Sequence, residues 1–261
     1  MSDKKIEIYI AIHKKAKVLE RECYIPIHVG AEGKEDLGFI KDNTGDNISC
    51  KNPNYCELTG LYWMWKHSNA DIIGLVHYRR YLVKSFFTTN IEKAISRKDI
   101  MKYLSKYNII LPKPYWTYKK TVEEQYAIDH NIEDYKKLRD IIKQNTPEYL
   151  EAFDTVSKRR YFYNYNMFIM EKKLFNEYAR WVFSVLGELE KQIDIDNYSD
   201  YNKRIYGFLS ERLFNVWIEK HKELKIKTLY ANNVERKPWV DNIRNLRSKI
   251  LTKILYNNKN N

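Results

Sequence analysis

Residues 70–76 read Ala-Asp-Ile-Ile-Gly-Leu-Val, and the short unbroken apolar run at the end of that stretch limits what the chain can fold into. A brief run that is apolar on both faces fits a strand covered on each side by other layers. It leads straight into His77-Tyr78-Arg79-Arg80-Tyr81. The covering layers must therefore leave room for fixed positive charge at the strand's carboxyl end.

The neighbouring segments supply such layers. Residues 6–12 (Ile-Glu-Ile-Tyr-Ile-Ala-Ile) alternate with β-branched residues and read as a first strand. Residues 24–30 read as a second, short strand. Residues 108–111 read as a buried one stopped by Pro112 and Pro114, and 165–170 as a further strand-like run. Gly, Asp and Asn make 31–53 a loop. Helical spacing predicts a helix capped by Asn54 and running through Glu57, Leu58, Leu61, Tyr62 and Trp65. Further helices are predicted around 91–107, over 121–157 with a break near Pro147, and over 172–191 and 207–222. Strand and helix alternate, which predicts an α/β fold with a sheet sandwiched between helices.

The tail from about residue 232 differs. Trp239, Val240, Ile243, Leu246, Ile250, Leu251, Ile254 and Leu255 fall on one helical stripe, with Arg244, Arg247, Lys249 and Lys253 between them. A basic amphipathic helix of this kind rests in an anionic membrane interface. The other reading is a terminal helix packed on its own domain.

A chain of 261 residues suits one large domain, or a core domain with a small extension. Its formal charge of +12 favours nucleic acid, anionic lipid or phosphate-bearing substrates. The aromatic share of 15% suits stacking on bases or on sugar C–H surfaces. No run approaches the about 20 apolar residues that span a bilayer, and the start lacks an apolar leader, so the chain is expected in the cytosol. Cys23, Cys50 and Cys56 show neither zinc nor disulfide spacing and read as free thiols.

In open α/β sheets, ligands gather at the carboxyl ends of strands. His77, Tyr78, Arg79 and Arg80 sit at such an end, and a guanidinium grips phosphate oxygens in pairs. Consecutive strand side chains point oppositely, so one arginine is expected to grip phosphate while the other is held in an ion pair. A purely structural, salt-bridged strand end is the alternative. Ala11, His13 and Lys14 close the first strand and are placed to meet a nucleotide. Glu57, Thr59, Gly60 and Trp63 belong to a segment whose rings cannot all face the core. Its polar groups suit substrate hydroxyls, or merely cap the helix. Glu211 lies near a helix start, as a candidate general base or a first-turn carboxylate paired to Arg212. His130 follows Gln125, Tyr126 and Asp129 and could reach an acceptor. Asp194-Ile195-Asp196 reads as a solvated loop, and no phosphate-loop, dinucleotide or zinc pattern is present.

With these segments laid out, the chain resembles a bacterial family of capsular and exopolysaccharide glycosyltransferases long catalogued as a domain of unknown function. The resemblance runs over roughly residues 5–230. It is carried by Asp46-Asn47-Ile48-Ser49, Tyr55 to Thr59 with Tyr62-Trp63 and Trp65-Lys66, and Gly74 with His77-Tyr78-Arg79-Arg80-Tyr81. It continues in Ile110-Leu111-Pro112, Gln125-Tyr126 with His130, Asn166-Met167-Phe168 and Ser210-Glu211-Arg212-Leu213. It implies a glycosyltransferase-A-like mixed sheet flanked by helices over residues 1–231, with 232–261 as the basic amphipathic segment. It also implies hexosyl transfer, galactosyl in pyranose or furanose form, from a UDP-sugar to a lipid-linked oligosaccharide at the inner membrane face.

Such folds place an Asp-x-Asp metal motif where this chain has His77–Tyr81. Manganese or magnesium therefore stays open as a cofactor, with no metal ligand assigned, and arginine is expected to take over charge neutralisation. On this reading Ala11, His13, Lys14, Asn47 and Tyr78 meet the nucleotide. Glu57, Thr59, Gly60 and Trp63 orient the donor sugar, and His77, Arg79 and Arg80 serve the leaving group. His130, Asn166 and Met167 face the acceptor, and Glu211 deprotonates it for an inverting displacement. Nucleic acid is not an expected partner. A non-enzymatic binder of RNA or anionic surfaces would fit the charge, but it leaves unexplained why the arginines follow a buried strand.

Overall fold

The computed structural model describes residues 4–257; the extreme start of the chain and the last four residues of the tail lie outside it. The chain opens with strands β1 (Ile6–Ile12), β2 (Tyr24–His28) and β3 (Ile40–Lys41), then short helix α1 (Asn52–Tyr55) and helix α2 (Leu58–His67). β4 (Ile72–His77) and β5 (Arg80–Val83) follow, then α3 (Arg97–Leu104), β6 (Ile109–Pro112) and β7 (Tyr115–Trp116). Next come α4 (Val122–Asp129), α5 (Ile132–Asn145), α6 (Leu150–Lys158), β8 (Tyr161–Phe162) and β9 (Phe168–Glu171). α7 (Lys172–Glu190), α8 (Ile205–Lys220), β10 (Ile226–Asn233) and α9 (Pro238–Asn257) complete the described chain.

The fold is a mixed α/β sheet with helices on its faces. β3, β2, β1 and β4 run parallel. The other edge of β4 is shared: residues 72–75 pair antiparallel with β9, whereas His77 pairs with Arg80 of β5. β9 pairs with β6, β6 with β10, and β10 with β5, so the pairings return to β4 and close a ring of five strands. Gly74 sits where three strands crowd together. A Cβ there would stand 2.7 Å from the Ile169 side chain, 2.8 Å from the Phe168 carbonyl oxygen and 2.9 Å from Ile8.

β1 is buried at every position because it is covered on both faces. Tyr9 and Ala11 join a large core with Leu61 of α2, Val182 of α7 and Trp217 of α8. Ile8, Ile10 and Ile12 join a smaller one with Tyr81, Ile100 of α3 and Ile110.

Several local expectations change. Asn54 does not cap a helix; its amide donates to the Lys203 carbonyl, and Cys56 at φ 53° breaks α1 from α2. The helix expected over 91–107 is a single 3-10 turn followed by α3, which starts where Ser96 and Asp99 form a reciprocal capping box. The stretch 121–157 divides into α4, α5 and α6, the first division falling where His130 is extended. The strand expected from 165 starts only at Phe168, because Tyr165 and Asn166 have φ of 74° and 50°. Arg79 lies in a turn between β4 and β5 and not along a continuing strand. β10 crosses the boundary anticipated between residues 231 and 232, so that boundary falls inside the sheet.

α9 is amphipathic in the reverse sense to an ordinary surface helix. Its polar side faces the body. Asn242 donates to the Phe86 carbonyl at 2.9 Å, Asn245 to the Pro114 carbonyl at 2.9 Å, and Thr252 to the Tyr118 carbonyl at 3.2 Å. Trp239, Val240, Ile243, Leu246, Ile250, Ile254 and Leu255 point outward, from 39% to 55% exposed. No helix among the described residues is long and apolar enough to cross a membrane.

Gly74→Ala should force β9 or β1 aside and cost about 1–3 kcal/mol. The measurement is a lower urea midpoint with an unchanged m-value.

Candidate active site

A cavity of about 580 Å³ opens at the carboxyl ends of β1 and β4. β1 supplies Ala11 and the following His13, and the β4–β5 turn supplies His77, Tyr78, Arg79 and Arg80. The two strand ends are tied where the Tyr78 backbone N–H donates to the Ala11 carbonyl at 3.1 Å. The α1–α2 junction contributes Asn52, Cys56 and Glu57. The start of α8 closes the cavity with Arg204, Gly207, Phe208 and Glu211. Gly207 lets α8 come this close, since a Cβ there would lie 3.0 Å from the Cys56 sulfur.

Three guanidinium groups line this space. Arg79 donates through Nε to the Tyr78 hydroxyl at 2.6 Å and lies 3.5 Å from Glu235. Arg80 stacks 4.3 Å from the centroid of the Tyr165 ring and has no carboxylate at ion-pair distance among the described residues. Arg204 donates to the Cys56 sulfur at 3.2 Å. Since the chain turns at Tyr78-Arg79, both neighbouring arginines reach one cavity, against the alternation expected of an extended strand. Of the two, only Arg79 has a carboxylate at ion-pair distance among the described residues.

Burial lowers the pKa of His77, whose Nε2–H donates to the Tyr165 carbonyl at 2.6 Å. Partial desolvation, then the charges of Arg79 and Lys14, lower that of His13. Both imidazoles are thus biased toward the neutral form.

The same cavity also holds the carboxylates Glu57 and Glu211. The Glu211 side chain is 18% exposed, and burial pushes its pKa up; nearby Glu57 adds to the rise while Arg212 opposes it. One Glu211 oxygen accepts from the Tyr165 backbone N–H at 2.8 Å, and the other lies 3.2 Å from Arg212. Arg212 is itself buried and anchored to Gln125 at 2.5 Å and to the Phe208 carbonyl at 2.9 Å. Glu57 accepts from the Asn166 amide at 2.8 Å. Asn166 is therefore an internal clamp, and its left-handed backbone suits an Asn better than most residues.

Guanidinium groups and carboxylates lining one cavity equip it to hold a polyanion and to take a proton from a hydroxyl. Among the described residues no three His, Cys, Asp or Glu group closely enough to hold a metal ion.

Other residues singled out in the sequence stand elsewhere. Lys14 is exposed outside the cavity lining, 6.0 Å from the Tyr78 ring. Asn47 bonds within its own loop, to Gly45 and Ser49. Thr59 is fully buried and bonded to Asn52 and Cys56, and Gly60 packs under Val29. Trp63 donates to Thr44 and stacks near His67, away from the cavity. His130 lies between Tyr201 and Phe208 with Nδ1 at 3.1 Å from Asn202. Asn166 and Met167 are buried, Met167 in the smaller core. Asp194 and Asp196 are exposed in the loop after α7. The sequence reading missed Asn52, Cys56, Tyr165 and Arg204. Arg204 has a local signal, the basic pair Lys203-Arg204 just ahead of the α8 pattern.

A family model described as a domain of unknown function, DUF4422, matches residues 7–222. A solved structure titled as the apo form of WbbM, a bifunctional glycosyltransferase, is similar with a TM-score of 0.81 at 34% identity. The likeness covers 89% of this chain and 46% of that one, so this chain spans about half the length of WbbM. No curated protein matches.

In a carbon-13 NMR titration, the Glu211 carboxyl should titrate above the ordinary glutamate range. Glu57→Gln should move it down while burial keeps it above that range. An ordinary glutamate midpoint in the wild type would contradict this account.

Proposed function

The chain belongs to the DUF4422 family, and from that premise we propose that it is a glycosyltransferase with a glycosyltransferase-A-like fold. It moves a hexosyl group, galactosyl in pyranose or furanose form, from a UDP-sugar to a lipid-linked oligosaccharide in capsule or exopolysaccharide synthesis. The observation that carries this reading is one cavity lined by Arg79, Arg80 and Arg204 together with Glu57 and Glu211. The likeness to WbbM supports it.

In the reaction, the bond from the sugar's anomeric carbon to the diphosphate breaks, and its electron pair leaves with UDP. Arginines held in place beforehand stabilise that developing charge without reorganising. The acceptor oxygen attacks the anomeric carbon from the opposite side, which inverts its configuration, and its proton passes to Glu211. A carboxylate whose pKa is raised by burial is the stronger base for this step. Glu57, fixed by Asn166, accepts from a donor-sugar hydroxyl, and His13 and Tyr78 meet the nucleoside at the cavity mouth. An RNA-binding face would spread its cations over an open surface, whereas these arginines line a cavity.

The second part of the proposal concerns α9. An exposed apolar stripe beside exposed Arg247, Lys249 and Lys253 complements an anionic bilayer, chemically as well as electrostatically. The protein would then work at the inner membrane face, where a lipid-linked acceptor is found.

UDP should raise the melting temperature of the wild type. Arg80→Ala and Arg204→Ala should lose most of that shift and about 10²–10³ in turnover. No response to any uridine nucleotide would reject the donor assignment. The full chain should co-sediment with vesicles containing anionic lipid and less with neutral ones. The double variant L246E/I250E should release it, and unchanged sedimentation of that variant would remove α9 from the membrane contact.

A further inference from the structure

A second cleft, of about 140 Å³, lies between the body and the inward side of α9. Arg80 and Tyr165 line both this cleft and the larger cavity, so the stacked pair forms a partition between them. Tyr115 and Tyr230 line it on the body side, with the Lys113 ammonium 3.9 Å from the Tyr230 ring centroid. Asn245 is already spent holding α9, accepting from the Trp116 N–H at 2.8 Å and donating to Pro114. The side chains of Asn164, Asp241 and Arg244, by contrast, make no hydrogen bond or ion pair among the described residues, yet all three line the cleft.

We propose that this cleft is the acceptor subsite and seats the terminal hexose of the growing glycan. This rests on the glycosyl-transfer reading given above. Aromatic faces take the C–H surface of a sugar ring, and uncommitted amide, carboxylate and guanidinium groups take its hydroxyls. The volume suits one ring and not an oligosaccharide. Past the partition lies the larger cavity, which Glu211 lines and where the Tyr165 backbone N–H holds its carboxylate. α9 places the subsite beside its own outward apolar stripe, where a lipid-borne sugar would enter.

Every residue lining the larger cavity falls within the span 7–222 that the family model matches. The far wall of the cleft, from Tyr230 to Ser248, falls outside it. Choice of acceptor is thus assigned to chain that the family model does not describe.

The test is saturation-transfer NMR on the full chain with methyl glycosides of galactose (pyranose and furanose), glucose and mannose. Methyl aglycones avoid binding to the apolar stripe. At least one glycoside should give a signal, and Asn164→Ala and Asp241→Asn should each weaken its binding about tenfold, the scale of one lost hydrogen bond to a polar or charged group. Both variants should keep the wild-type melting temperature and UDP response. Silence from every glycoside would overturn the proposal, as would undiminished binding in both variants. Glycoside binding that these variants weaken, without any UDP response, would uphold the subsite and reject the donor reading, so the two failures are separable.

Discussion

β4 has more hydrogen-bonding neighbours than an ordinary strand can serve at once, and the way it shares them sets up the rest of the molecule. One edge belongs to β1 throughout. The other belongs to β9 for residues 72–75 and then, after a change of partner, to β5 through His77 and Arg80. The change of partner turns the chain at Tyr78-Arg79. It ends the buried part of the strand and aims two guanidinium groups into the same space. Gly74 is the local condition for this arrangement, since backbone and side chains from β9 and β1 occupy the volume a Cβ would need.

The cavity owes its polarity to elements that are distant in sequence. Cations come from the β4–β5 turn and from the entry to α8, carboxylates from the α1–α2 junction and from within α8. Tyr165 and Asn166 connect the two sets of charges. Tyr165 accepts from His77, donates its N–H to Glu211 and carries Arg80 on its ring, while Asn166 holds Glu57. Their left-handed backbone makes this possible, because a regular strand would direct those groups into the sheet ladder. A short irregular segment therefore orders charged groups on which the proposed chemistry depends.

α9 shows how an amphipathic pattern can be legible without its direction being so. The stripe of apolar residues is plain in the sequence, and both an outward-facing and an inward-packed helix produce it. Asn242, Asn245 and Thr252 decide the matter by bonding to backbone carbonyls of the body, which leaves the apolar side outward. The same clamp makes the helix one wall of the second cleft.

The sequence by itself determined the buried strands β1, β4 and β6, most of the helices, and the placing of His77 to Arg80 at a strand's carboxyl end. Those features follow from local periodicity and from the simple need to keep apolar runs dry. Glu57 and His13 were legible as candidates for the same reason, since each lies at an element terminus, whereas Glu211 stands within α8. Only the tertiary structure decided that Arg204 and Tyr165 join them, that Trp63, Thr59 and His130 do not, and that β10 belongs to the sheet. Which strands pair, and which side of a helix finds hydrogen-bond partners, depends on contacts between residues far apart in the chain. No local pattern encodes those contacts.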